Sequence, residues 1–252
     1  MSEKYGNRQF WNNYWGEEQR SGYEFLFSEI VNRYINWSDI NNYMEVGGAP
    51  GTIMSYMFHM HKLAVSTVDY CDSNIISELL ERNRVENYKI YNDDFSEFDT
   101  ANHYKEYDLV ASWGFIEHFE IEKSDMFIQK HKEMVSDNGY LIIELPNIRG
   151  FNWLIYRLIN KELLKIHNIN TMDINFLKHS IERDYTFKVL YGDYYLSSFF
   201  EYSSTNEFFC RHRVVKKFFS IIKKVSAFLG TNNIPNRFFS PYIVFIAQRI
   251  EG

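Results

Sequence analysis

Short apolar runs alternate with helical stripes through the first 145 residues of the chain. The runs at Asn42 to Val46, Leu63 to Val68, Tyr88 to Tyr91, Tyr107 to Ser112 and Tyr140 to Leu145 have the length and composition of strands. Between them, Thr52 to Met60, Ser73 to Asn83 and Ser124 to Val135 carry helical periodicity. Upstream, Tyr23 to Ile35 places Phe25, Leu26, Ile30, Val31 and Ile35 on one stripe. Strands separated by helices predict βαβ crossovers, hence a doubly wound α/β core with a mostly parallel sheet. Asp137-Asn138-Gly139 predicts the turn that stops the last of these helices and launches the next strand.

After Pro146 the pattern loosens into helices near Phe151 to Ile159 and Asp173 to Arg183, followed by an extended run from Tyr185 to Leu196. Val214 to Leu229 is an apolar helical stripe with a basic opposite face, and Tyr242 to Ile250 closes as an apolar strand. With no repeat and no linker poor in apolar residues, the expectation is one domain. Its parts are an N-terminal helical cap over 1–40, a core over 41–146 and an elaboration over 147–252.

Composition narrows the partners. Among 252 residues, 45% are hydrophobic and 24% charged, which supplies a core and excludes a disordered chain. The net charge of −6 repels polyanions, so no nucleic-acid partner is expected. Cys71 and Cys210 form no C-x-x-C, which fits a reduced, cytoplasmic setting. The polar, aromatic N-terminal stretch has no apolar core of a secretory signal, and no apolar run reaches the roughly 18–20 residues of a transmembrane span. Arg211, His212, Arg213, Lys216, Lys217, Lys223 and Lys224 form a basic cluster. Three readings stand for it: a solvated helix face, a dock for a phosphate-bearing ligand, or weak peripheral contact with an anionic membrane.

The most informative stretch is YMEVGGAPGTIM, a strand that runs into Gly47-Gly48-Ala49-Pro50-Gly51 and then a helix. Such a loop lets a ligand touch bare backbone beside the helix N-terminus. A nucleoside-triphosphate loop needs Gly-Lys-Ser/Thr, which is missing, and the spacing does not match the dinucleotide fingerprint G-x-G-x-x-G. The segment resembles the first motif of class I S-adenosylmethionine-dependent methyltransferases, Glu/Asp-x-Gly-x-x-x-Gly, with Glu45, Gly47 and Gly51 in register and Gly48 beside them. Three further segments follow in that family's order. VSTVDY ends the second strand with Asp69 and Tyr70, where a carboxylate can accept both ribose hydroxyls. YNDDF offers Asp94 to the adenine amine and Phe95 to its ring. YDLVASWGFIEHF resembles the fourth motif, with Ser112 and Trp113 beside the methionine part.

The resemblance implies a Rossmann-like sheet of seven strands, the last antiparallel, with helices on both faces. It implies S-adenosylmethionine as cofactor, leaving as S-adenosylhomocysteine. It also implies transfer of a methyl group to a small-molecule acceptor, more in keeping with oxygen than with nitrogen or carbon. For a hydroxyl acceptor, His118 is the first candidate base, since an ordinary imidazole pKa suits proton removal at neutral pH, and His167 is the second. Glu117-His118 resembles part of a Glu-x-x-Glu-His metal motif, but Gly114 stands at its first Glu position, so no metal is expected. ELPNIRG and KIHNINTMD resemble acceptor-side segments of methyltransferases from bacterial surface-polysaccharide pathways. On that resemblance Asn147, Arg149 and Asn168 are candidate substrate contacts. The acceptor would be a sugar-linked, phosphorylated or phosphoramidate metabolite of capsule or surface-glycan assembly. The competing reading is a non-catalytic protein or partner subunit that binds the cofactor without turnover.

Overall fold

A computed structural model of the chain describes residues 7–16, 22–159, 161–196, 224, 235–238 and 240–250. In chain order its elements are α1 (Arg8–Gly16), α2 (Ser28–Tyr34), β1 (Asn42–Val46), α3 (Thr52–His61), β2 (Ala64–Asp69), α4 (Ser73–Arg82), β3 (Tyr88–Asn92), β4 (Tyr107–Trp113), α5 (Ile121–Met134), β5 (Val135–Pro146), α6 (Phe151–Ile159), α7 (Lys161–Ile166), α8 (Ile174–Glu182), β6 (Phe187–Tyr195) and β7 (Tyr242–Arg249). The strands form one seven-stranded sheet in the order β3-β2-β1-β4-β5-β7-β6. β1 to β5 are parallel, and β7 runs antiparallel between β5 and β6. The order reverses between β1 and β4, the place where a doubly wound sheet opens a crevice beyond its carboxyl ends.

Both faces of the central strands are covered, which is why they read as continuous apolar runs rather than as alternating ones. Met44, Val110 and Leu141 point to the side packed by Phe127 and Ile128 of α5 and Leu177 and Ile181 of α8. Tyr43, Leu109 and Ile142 point to the other, against Ile30 and Val31 of α2, Met54 and Met57 of α3, and Ile76 and Leu80 of α4.

Three local expectations change. The helix predicted from Tyr23 starts only at Ser28, because Phe25 and Phe27 leave the helical path to pack their rings on Trp113, with centroids 4.9 and 5.4 Å away. Asp137-Asn138-Gly139 lies inside β5 rather than ahead of it. Val135 already pairs with Tyr107, the register then jumps so that Tyr140 pairs with Leu109, and Asn138 takes a φ of 63° in the bulge. α7 is a further helix that the loose pattern after Pro146 did not indicate. Of the basic helix proposed over 211–229, all but Lys224 lies outside the described residues.

Candidate functional site

β1 delivers Glu45 and Val46 to the carboxyl edge and hands over to the glycine loop. Gly47 has a φ of 74°, and a Cβ there would come within 2.8 Å of the Phe115 ring. Gly48 has no such strain, but a Cβ there would collide with the Thr67 hydroxyl. That hydroxyl donates to the Glu45 carbonyl at 2.8 Å and ties β2 to the loop. Bare backbone is therefore what the edge presents.

β2 ends on Asp69, which is 7% exposed. Its Oδ2 accepts the Ala49 N–H at 2.8 Å and its Oδ1 accepts the Cys71 N–H at 2.6 Å. The carboxylate thus braces the loop and the turn while its remaining lone pairs face the cleft. Burial raises the Asp69 pKa, and the Cys71 and Ala49 N–H groups pull it back. After β3, Asp94 accepts the Ser96 N–H at 2.9 Å and the Ser96 hydroxyl at 2.7 Å. Burial pushes Asp94 upward, yet these donors outweigh it and hold the group below its ordinary value. Phe95 is buried behind it, 5.9 Å from Phe115.

These residues converge. One cleft is lined by Gly47, Asp69, Tyr70, Asp94, Phe95, Trp113 and His118, together with Trp11 and Trp15 of α1. α1 is fastened there by a reciprocal pair: Asn12 donates to Asp72 at 2.8 Å, and the Asp72 N–H donates to Asn12 at 2.9 Å. Trp11 sets its ring edge against His118, 4.8 Å between centroids. A second, larger compartment joins the first at Trp15, Gly47 and Trp113, and adds Glu45, Gly48, Phe25, Phe27 and Tyr242. Below it, Trp113 Nε1–H donates to the Tyr43 hydroxyl, and that hydroxyl donates to Glu45 Oε2, both at 2.9 Å. Burial pushes Glu45 up to about 8, the Tyr43 bond opposes the rise, and the nearby Asp69 charge adds to it.

The remaining candidates fall into two groups. Glu117, His118 and His167 come together although 49 positions separate the histidines. Their rings are 4.7 Å apart, and Glu117 Oε1 lies 3.6 Å from His118 Nε2 and 3.9 Å from His167 Nε2. His118 donates Nδ1–H to the Ile166 carbonyl at 2.8 Å. Burial, then the charge of His167, brings His118 down to about 3, while the Ile166 and Gly114 carbonyls pull the other way. The premise of an ordinary imidazole pKa is therefore not met at this position. The second group is occupied with the fold. Asn147 donates to the Ser240 carbonyl at 2.7 Å and the Arg237 carbonyl at 3.1 Å, and Asn168 donates to the Phe119 carbonyl at 2.9 Å. Arg149 donates to the Ile169 carbonyl at 3.1 Å and to Asp173 at 2.9 Å. Gly51 stands at the N-terminus of α3, and Ser112 is fully buried in β4, outside both compartments.

Sequence reasoning passed over Phe25, Phe27 and Tyr242, which form the aromatic wall of the larger compartment. The signal available was weak: an alternating Phe-Leu-Phe read as part of a helical stripe, and a Tyr at the head of a strand.

Neither a known protein family nor a curated protein matches the chain by sequence. Solved structures match it by shape. A SAM-dependent methyltransferase from Archaeoglobus fulgidus is 17% identical with a TM-score of 0.54, covering 89% of this chain and 93% of its own. An O-methyltransferase family protein from Burkholderia thailandensis is 12% identical with a TM-score of 0.56 over 90% of this chain, which spans only 57% of that protein. A 1,6-didemethyltoxoflavin-N1-methyltransferase from the same organism, solved with 1,6-didemethyltoxoflavin and S-adenosylhomocysteine, is 11% identical with a TM-score of 0.55, covering 97% and 84%. The sheet order, the antiparallel β7 and the flanking helices are those of the class I methyltransferase fold.

Proposed function

We propose that this chain binds S-adenosylmethionine in the cleft at the ends of β1 to β4 and transfers its methyl group to a small-molecule hydroxyl. The observation that carries the reading is convergence: Gly47, Asp69, Tyr70, Asp94 and Phe95, from three separate strand ends, line a single cleft. The fit is chemical. Glycine backbone suits a close approach, a buried carboxylate suits a ribose diol, and an acid beside a phenyl ring suits an aminopurine. The cofactor supplies an already activated methyl group when bound.

The protein's own part is alignment and exclusion of water. Trp11 and Trp15 line the cleft, and Phe25, Phe27, Trp113 and Tyr242 wall the compartment next to it. Aromatic faces with Glu24 and Glu45 among them suit a ring-shaped acceptor bearing hydroxyls, such as a sugar-linked metabolite, better than a polyanion. Among the described residues no Lys or Arg lines either compartment. The phosphorylated form of the acceptor is accordingly the less supported one. A place in surface-glycan assembly rests on the ELPNIRG and KIHNINTMD segments. No helix among the described residues is long and apolar enough to cross a membrane.

Calorimetry with S-adenosylhomocysteine is expected to give one saturable site. A methyl-release assay over sugar nucleotides, free sugars and amines is expected to find turnover with a hydroxyl acceptor. Thermal protection by NAD and none by S-adenosylhomocysteine would overturn the cofactor assignment.

A further inference from the structure

Two carboxylates and two imidazoles share a buried corner at the wall of the cleft. Glu117 is 1% exposed and Glu144 is 4% exposed, and neither pairs with a Lys or Arg among the described residues. Glu117 Oε2 and Glu144 Oε1 make no hydrogen bond. Carboxylates placed so deep are compensated by protons or by a cation. The imidazoles point to the cation. His118 commits its Nδ1 proton to the Ile166 carbonyl, which leaves its Nε2 lone pair turned toward Glu117. A backbone carbonyl holding the far nitrogen is the outer contact that metal-binding histidines ordinarily have.

The spacing is close to that of a ligand set. One ligand atom from each of Glu117, His118 and His167 lies within 4.8 Å of the other two. Ligands on a tetrahedral zinc ion stand about 3.4 Å apart, given bonds near 2.1 Å. The two Glu117 separations, 3.6 and 3.9 Å, need only small rotamer adjustments to close on an ion.

We propose that Glu117, His118 and His167 form a binding site for a divalent transition-metal ion of the zinc class. Two imidazoles and one carboxylate select such an ion over magnesium or calcium, which take all-oxygen sets. Three protein ligands leave a tetrahedral position open, the arrangement of sites that present an ion to a bound molecule. His118 also lines the cleft, so the ion stands in its wall. Methyl transfer from a sulfonium needs no metal, and the role fitted to this ion is to hold an oxygen of the acceptor in place. The site does not depend on the methyltransferase reading, because its ligands are separate from the glycine loop, Asp69 and Asp94.

The test is a Co²⁺ titration of the full chain after treatment with a chelator. One equivalent is expected to bind with visible absorption bands of a four- or five-coordinate site, to be displaced by Zn²⁺ and to survive a hundredfold excess of Mg²⁺. Glu117→Gln and His167→Ala are each expected to weaken Co²⁺ binding by at least about 100-fold. S-adenosylhomocysteine binding and the thermal midpoint, measured on the same samples, should stay close to those of the parent. Should a variant fail to fold, X-ray absorption of the parent loaded with Zn²⁺ decides instead, with two imidazole shells expected. Absence of saturable Co²⁺ uptake by the folded parent, or unchanged affinity in both variants, overturns the site. The corner would then be held by protons shared between Glu117 and the histidines. Cofactor binding without metal uptake sinks this inference alone, and metal uptake without cofactor binding sinks the other reading alone.

Discussion

The cleft at the ends of β1 to β4 and the aromatic compartment beside it, the proposed acceptor wall, are built in opposite ways. In the first, each strand carries its own ligand residue at its last position or in the loop that follows, so forming the parallel ladder places the set. Gly47, Asp69 and Tyr70, and Asp94 and Phe95 arrive in chain order along one edge. In the second, the wall joins residues far apart in the chain, with Phe25 and Phe27 packed on Trp113. Phe27 meets Tyr242 with centroids 5.0 Å apart. A site set by strand register is fixed by the fold itself, whereas one assembled from distant segments can change its wall without disturbing the sheet.

The sharpest way to break this contrast is at Gly48. Gly48→Ala drives a methyl into the Thr67 hydroxyl and to 3.0 Å from Thr67 Cβ, and displaces the bond from that hydroxyl to the Glu45 carbonyl. S-adenosylhomocysteine affinity is expected to fall more than about 100-fold, near 3 kcal/mol, read by calorimetry. The acceptor wall, distant in sequence, should keep its packing, read by Trp fluorescence.

Asp69→Ala comes next. It removes the carboxylate proposed to accept the ribose hydroxyls and leaves the Ala49 and Cys71 N–H groups without their partner. The expected loss is about 1–3 kcal/mol in affinity. Adenosine alone should bind more weakly to the variant than to the parent, while methionine alone should not. Equal losses for the two fragments would show that Asp69 acts only through the loop.

Phe27→Leu tests the other region. The Phe27 ring stacks on Trp113, 5.4 Å apart and 19° from parallel. Such a contact contributes about 0.5–1.5 kcal/mol. KM for the acceptor is expected to rise up to about tenfold, with S-adenosylhomocysteine affinity unchanged.

What was legible in the sequence follows the same division. Asn42 to Val46, read as a strand, is β1 with the same limits, and the seven-stranded, mostly parallel sheet with its last strand antiparallel is as expected. Strand ends and glycine turns leave local marks, so the residues of the first cleft were readable. The pairing of His118 with His167 had no local mark, since α5, β5, α6 and α7 intervene. Nor did the sequence tell that burial would take His118 down to about 3, because a pKa depends on what covers the ring. Asn147 and Arg149 carry polar side chains in a promising segment, but those groups are spent on the carbonyls of distant loops.

The smallest effect concerns Glu45, where the two regions meet. Burial raises its pKa to about 8, so at pH 6.5 the empty protein holds it protonated. A carboxylate with a folded pKa above its unfolded value keeps its proton in the native state after the unfolded chain has released it. Between about pH 4.5 and 8 the native state therefore binds more protons, and the contribution of Glu45 to stability falls as pH rises through that window. Glu45→Gln should flatten this part of the midpoint-versus-pH curve. Ligand binding reverses the preference: an ammonium placed beside Glu45 favours the ionised form, so binding releases part of a proton. S-adenosylhomocysteine affinity is expected to climb a few-fold from pH 6 to pH 8. Calorimetry in two buffers of different ionisation enthalpy should show the released proton in the parent and a smaller release in Glu45→Gln. The same release in both would place the ligand's ammonium away from Glu45 and detach that residue from the cofactor end of the site.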